Sequence, residues 1–92
     1  MSGENEKMSF VSKPQKTAEE LHNLIIQELR KNPEFNLVKP GKPYWHETDN
    51  NGCNWDISIW QGDVTDATEA RNFLTPYILK LRISFDIINK KF

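Results

Sequence analysis

The chain has 92 residues, enough for one domain, and its apolar content of 37% is low for a globular protein. A net charge of −1 supplies no overall field that would draw it to nucleic acid or to a membrane surface. The single cysteine, Cys53, excludes an internal disulfide, and no stretch approaches the roughly 20 apolar residues of a membrane span, so a cytoplasmic location is expected.

Residues 1–14 are polar apart from Phe10 and Val11 and read as a flexible leader ending at Pro14. "MSGENEKMSF" has no apolar core of a secretory signal. A helix follows. Thr17 stands three residues before Glu20, the spacing of a reciprocal capping box. Leu21, Leu24, Ile25 and Leu29 then recur at helical intervals, with Ile26 widening the stripe. Glu19 and Glu20 suit the positive helix start, and Arg30 and Lys31 suit the negative end. Asn32-Pro33 stops the helix, because the residue before proline avoids the α region.

"EFNLVKPGKP" offers Phe35, Leu37 and Val38 for a short strand or an extended connector, and its two prolines confine it to an edge. A β-hairpin comes next, with strands over 44–48 and 54–60 around "DNNG". Asn51-Gly52 tolerates positive φ and predicts a type I′ turn, with a longer loop as the alternative. Trp55, Ile57 and Ile59 alternate onto one face, and Asp56, Ser58 and Trp60 onto the other. A second helix starts at Thr65 or Asp66, with Glu69 at capping-box distance from Asp66. Its apolar stripe includes Ala67, Ala70, Phe73, Leu74, Tyr77, Ile78, Leu81 and Phe85 and keeps phase across Pro76, predicting one kinked helix. Residues 89–92 read as a fraying tail, which leaves 15–88 as a single domain.

The order predicts an α+β fold: a two-layer α-β-β-α sandwich whose small antiparallel sheet, of two or three strands, is covered on one face by two helices. Trp55, Ile57 and Ile59 would face the helices. The open face would carry Asp56, Ser58 and Trp60, joined by either Tyr44 and His46 or Trp45 and Glu47. Aromatics on such a face are suited to interface anchors, and a small sheet is nearly all edge. Tyr44, Trp45, Glu47, Asp56 and Trp60 are therefore the candidate partner-binding residues. The contrary reading has Trp60 at the strand end, folded over the approach to the second helix.

Residues 43–70 hold no Lys or Arg, yet carry Glu47, Asp49, Asp56, Asp63, Asp66 and Glu69. Such a run either complements the basic C-terminal stretch or forms an acidic face. Catalytic, metal and cofactor chemistry is not expected. His22, His46 and Cys53 lack zinc-site spacing, and the glycine of "DNNGCN" comes too early for a calcium loop. Cys53 with His46 is the one conceivable Cys–His pair, and its acidic surroundings disfavour a thiolate. Glu47, Asp49 and Asp56 read as a solvated hairpin tip. No glycine-rich phosphate loop occurs, and Trp45, Trp55 and Trp60 lack the interleaved basic residues of a single-strand binder.

"TAEELHNLIIQELRKNPEF", "NWDISIW" and "TEARNFLTPYILKLRISFDI" together resemble a group of short uncharacterised bacterial proteins that join an "AEEL…ELRK-P" helix, an "NW" strand and a closing amphipathic helix. The matching positions include Leu21, Leu29, Arg30, Pro33, Asn54, Trp55, Leu74, Pro76 and Asp86. The resemblance implies an element order and no catalytic residue. Asn54 would tie the turn and Trp55 would plug the core.

The functional expectation is a small non-catalytic interaction module that uses the open sheet face or its edge. The alternatives are a homodimeric structural protein pairing through its sheet, and a small acidic inhibitor from a mobile element that mimics nucleic acid. A protein partner or self-association is expected, with no nucleic acid and no membrane.

Overall fold

The structure, a computed structural model, describes residues 13–88. Residues 1–12 and 89–92, most of the expected leader and the whole expected tail, lie outside the described residues. The elements in order are β1 (Gln15–Lys16), α1 (Ala18–Leu29), a 3-10 turn (Pro33–Phe35), β2 (Pro43–Trp45), β3 (Trp55–Ile57), α2 (Val64–Ser84) and β4 (Asp86–Ile87). This is the α+β arrangement of two helices with small sheets. There are two two-stranded ladders, the antiparallel β2–β3 hairpin and a parallel β1–β4 pair that the sequence reading did not foresee.

The first helix forms as its signals dictate. Thr17 Oγ1 accepts from the Glu20 N–H at 3.0 Å, and the Glu20 carboxylate accepts from the Thr17 N–H at 2.9 Å, completing the capping box. The helix stops at Leu29, so Arg30 does not serve its last turn. Its guanidinium instead donates to the carbonyls of Phe35 and Val38 and steadies the following connector. In that connector Phe35 and Val38 are buried while Leu37 is exposed. A single antiparallel bridge, Lys39 with Gln61, takes the place of a third strand.

The α2 helix runs unbroken through Pro76, and Asp63 caps it by accepting from the Asp66 N–H. The expected caps, Thr65 and Asp66, lie in its first turn, because the Asp63 carboxylate takes the Asp66 N–H and the helix starts two residues earlier. Leu21, Ile25 and Leu29 of α1 bury with Ala70, Leu74 and Ile78 of α2 in one core, and Trp55 is its largest fully buried side chain.

The hairpin selects between alternatives left open at its turn and in its first strand, and departs from expectation at the end of β3. Its turn is not type I′. The Gly52 N–H donates to the Asp49 carbonyl, Asn50 and Asn51 keep negative φ, and Gly52 alone takes φ +80°. This is the three-residue loop with a left-handed closing glycine. Asp49 organises it, its carboxylate accepting from the N–H groups of Asn51 and Cys53 at 2.9 and 3.0 Å. Next, β3 ends at Ile57, so the alternation read through residue 60 breaks. Ile59, expected against the helices, is 87% exposed, and Trp60, expected on the open face, is half-buried against the core. Finally, Trp45 lies opposite Trp55 and turns inward with it, while Tyr44 lies opposite Asp56 and carries the outer face.

Hydrogen bonds fasten the base of the hairpin to the end of α2. The Asn54 amide donates to the Ile87 carbonyl and accepts from the Ile87 N–H, a two-way clamp on β4. Trp55 Nε1 donates to the Phe85 carbonyl at 2.9 Å, and Arg82 Nε donates to the Trp55 carbonyl at 2.8 Å. Lys13 and Pro14, read above as the leader's end, join the same junction. Lys13 pairs with Asp86 at 3.2 Å, and the Pro14 carbonyl accepts from the Asp86 N–H. Trp55→Phe keeps most of the buried area but leaves the Phe85 carbonyl unbonded. It is expected to lower stability by about 1–3 kcal/mol in urea unfolding.

Bonding also makes stability depend on the charge of Asp49. The Cys53 N–H on the Asp49 carboxylate, helped by the Asn51 N–H, Arg82 at 3.2 Å and His46, holds this carboxyl below its ordinary range despite partial desolvation. A carboxyl lowered on folding contributes stability that is present above its unfolded value and is lost as pH falls through its folded one. Asp49→Asn should therefore be less stable than wild type near pH 7, and the gap should close below about pH 4 in chemical denaturation series.

Candidate partner-binding groove

Pinned at Trp55, the strand diverges from α2 beyond Ile57, and a groove of about 550 Å³ opens between them. That volume lies within the roughly 300–1,000 Å³ that ligand sites occupy. Its strand wall runs from Asp56 to Trp60. Its helix wall is a second stripe of α2 beside the core stripe: Val64, Thr68, Arg71, Thr75, Leu79 and Arg82, spaced three or four apart. Ala67 and Ile78 form part of the lining. Exposed apolar side chains cluster here, with Ile59 at 87%, Val64 at 80% and Leu79 at 47%. An exposed apolar cluster around a concave surface is the usual mark of a contact site.

Two charged groups of the lining are already engaged: Arg82 with Asp49 and the Trp55 carbonyl, and Asp56 with the Ile57 N–H at 2.8 Å. The Arg71 guanidinium has no hydrogen-bond or ion-pair partner among the described residues. Backbone packing holds the strand wall in place. A Cβ on Gly41 would stand 1.8 Å from the Ser58 carbonyl oxygen, so only glycine admits the close approach of the two chains. Beside it Lys42 and Ser58 exchange two bonds, the Ser58 N–H to the Lys42 carbonyl and the Lys42 N–H to Ser58 Oγ.

The five candidate residues are split. Asp56 and Trp60 line the groove. Tyr44 and Trp45 line a smaller recess of about 180 Å³ with the start of α1 and with Ile87 and Ile88, and Tyr44 also packs edge-on to His46 at 6.2 Å. Glu47 is exposed and lines neither; its carbonyl accepts from His46 Nδ1. Cys53 is buried, its thiol donating to the carbonyls of Arg82 and Asn51 rather than meeting His46. No group of three or more His, Cys, Asp or Glu side chains among the described residues is placed to hold a metal ion. No helix among them is long and apolar enough to cross a membrane.

Ile59, Val64, Arg71 and Leu79 were not among the candidates. The three-and-four spacing of Val64, Thr68, Arg71, Thr75 and Leu79 was the available signal, obscured by its mixed polarity. No protein-family model, curated protein or solved structure matches this chain.

Gly41→Ala should force the 41–42 segment off β3. The expected cost is about 1–3 kcal/mol, with faster amide hydrogen exchange at Lys42 and Ser58.

Proposed function

We propose that this chain is a small non-catalytic binding module that engages a protein partner through the groove between β3 and α2. The observation that carries the reading is the meeting of Ile59, Val64 and Leu79, all exposed, around a concave surface that Trp60 helps to line. Trp60 supplies a large, partly buried anchor with few rotors to freeze, the type of residue that dominates binding energy. The contact surface is thus moved from the open sheet face to the groove, keeping Asp56 and Trp60 and leaving Tyr44, Trp45 and Glu47 outside it.

The acidic run is a weaker basis for function. Of its six carboxylates, Asp49 pairs with Arg82, Asp56 holds the Ile57 N–H and Asp63 caps α2. Half of the charge that mimicry of nucleic acid would need is spent internally. The buried lone thiol of Cys53 suits a compartment that keeps thiols reduced, and the cytoplasm is the proposed location.

Ile59→Glu tests the reading. The residue is almost wholly exposed, so stability should change by less than about 0.5 kcal/mol. Proteins retained by immobilised wild type should be lost with the variant. Equal retention by both would remove the groove as the contact surface, and a stable dimer of the wild type in light scattering, dissociated by Ile59→Glu, would make the partner a second copy.

A further inference from the structure

We infer that the outer face of α2 is a self-association surface, on which two copies of this chain pack their α2 helices antiparallel about a two-fold axis. Glu69, Phe73, Pro76 and Lys80 follow one another four, three and four residues apart, the spacing of a single stripe on a helix. All four are exposed. The stripe is turned away from the core stripe of Ala70, Leu74, Ile78 and Leu81, and also from the groove wall that holds Arg71 and Thr75. The surface is therefore separate from the groove, and the inference does not rest on the groove reading.

The order acid, apolar, apolar, base is its own complement when reversed. With the axis midway between residues 74 and 75, Glu69 meets Lys80 of the second copy, and Phe73 meets Pro76 of the second copy. Symmetry repeats both contacts. A parallel pairing would set like charge on like, so the charges select the antiparallel one. Neither charge is spent internally. Glu69 and Lys80 have no hydrogen-bond or ion-pair partner among the described residues, and neither has an opposite charge three or four residues away on α2. Phe73 is a fixed anchor: its ring is tilted against Phe35 at 6.0 Å, while the residue stays 49% exposed. Pro76 adds apolar area with no side-chain rotamer to freeze. The stripe spans about 17 Å of helix, so the contact is smaller than a standard interface and the dimer is weak.

Sedimentation equilibrium tests this on the full chain. Wild type should form a reversible dimer with a dissociation constant on the order of 100 μM, and be mostly dimeric at about 2 mM. Glu69→Lys and Lys80→Glu should each weaken it about tenfold or more, since each turns two attractive pairs into repulsive ones. Both sites are exposed, so urea unfolding of either variant should match wild type closely. An equimolar mixture of the two variants should dimerise as wild type does, because every pair regains opposite charges. Ile59→Glu, on the groove, should leave the dimer unchanged. A wild type still monomeric at the highest concentration would overturn the inference. So would a dimer that neither reversal weakens, or a mixture no tighter than either variant alone. A dimer lost with Ile59→Glu and kept in both charge variants would seat the second copy in the groove and overturn the α2 surface alone.

Discussion

The constraint on which this molecule depends is the fastening of one hairpin end to the last turns of a long helix. Asn54, Trp55 and Arg82 supply it through four hydrogen bonds, three of them made by the Asn54 amide and the Trp55 ring. A small domain buries a limited share of its surface, and its core alone gives little orientational control. Directional bonds between the hairpin and the 82–87 segment provide that control. They explain why so short a ladder as β2–β3 persists, since an isolated two-stranded ribbon is marginal in water.

The same fastening creates the groove. A strand tied to a helix at one point and tied to a different segment further along must leave the helix between the two. Here the second tie is the close passage of Gly41 past Ser58 and the Lys39–Gln61 bridge. Ile59 lies between these ties and is lifted into solvent, and Trp60 falls back to pack on the core. The exposed isoleucine and the sheltered tryptophan, both unexpected from simple alternation, are two results of one bend.

Local chemistry was readable and long-range pairing was not. The capping box at Thr17 and Glu20, the stop before Pro33, the continuity of α2 through Pro76 and the central place of Trp55 all follow from spacing and residue type. The β1–β4 ladder was invisible, because two residues pairing with two others across nearly the whole domain leave no periodicity. The end of β3 was misjudged for a related reason: alternation continues in the residues while the backbone is bent by a glycine in another segment. Only Asp56 and Trp60 of the candidate site carried over to the groove. The helix wall mixes Thr, Arg and apolar residues, so it does not stand out from a solvated face until the strand is placed opposite it.

The parallel pairing of Gln15 and Lys16 with Asp86 and Ile87 joins segments roughly seventy residues apart. During synthesis the earlier partner emerges first and waits for its complement. Until then Trp55 lacks its carbonyl acceptor at Phe85, and Asn54 lacks both of its bonds to Ile87. A chain interrupted before residue 85 therefore lacks the acceptor that orients the buried indole and both clamp bonds of Asn54.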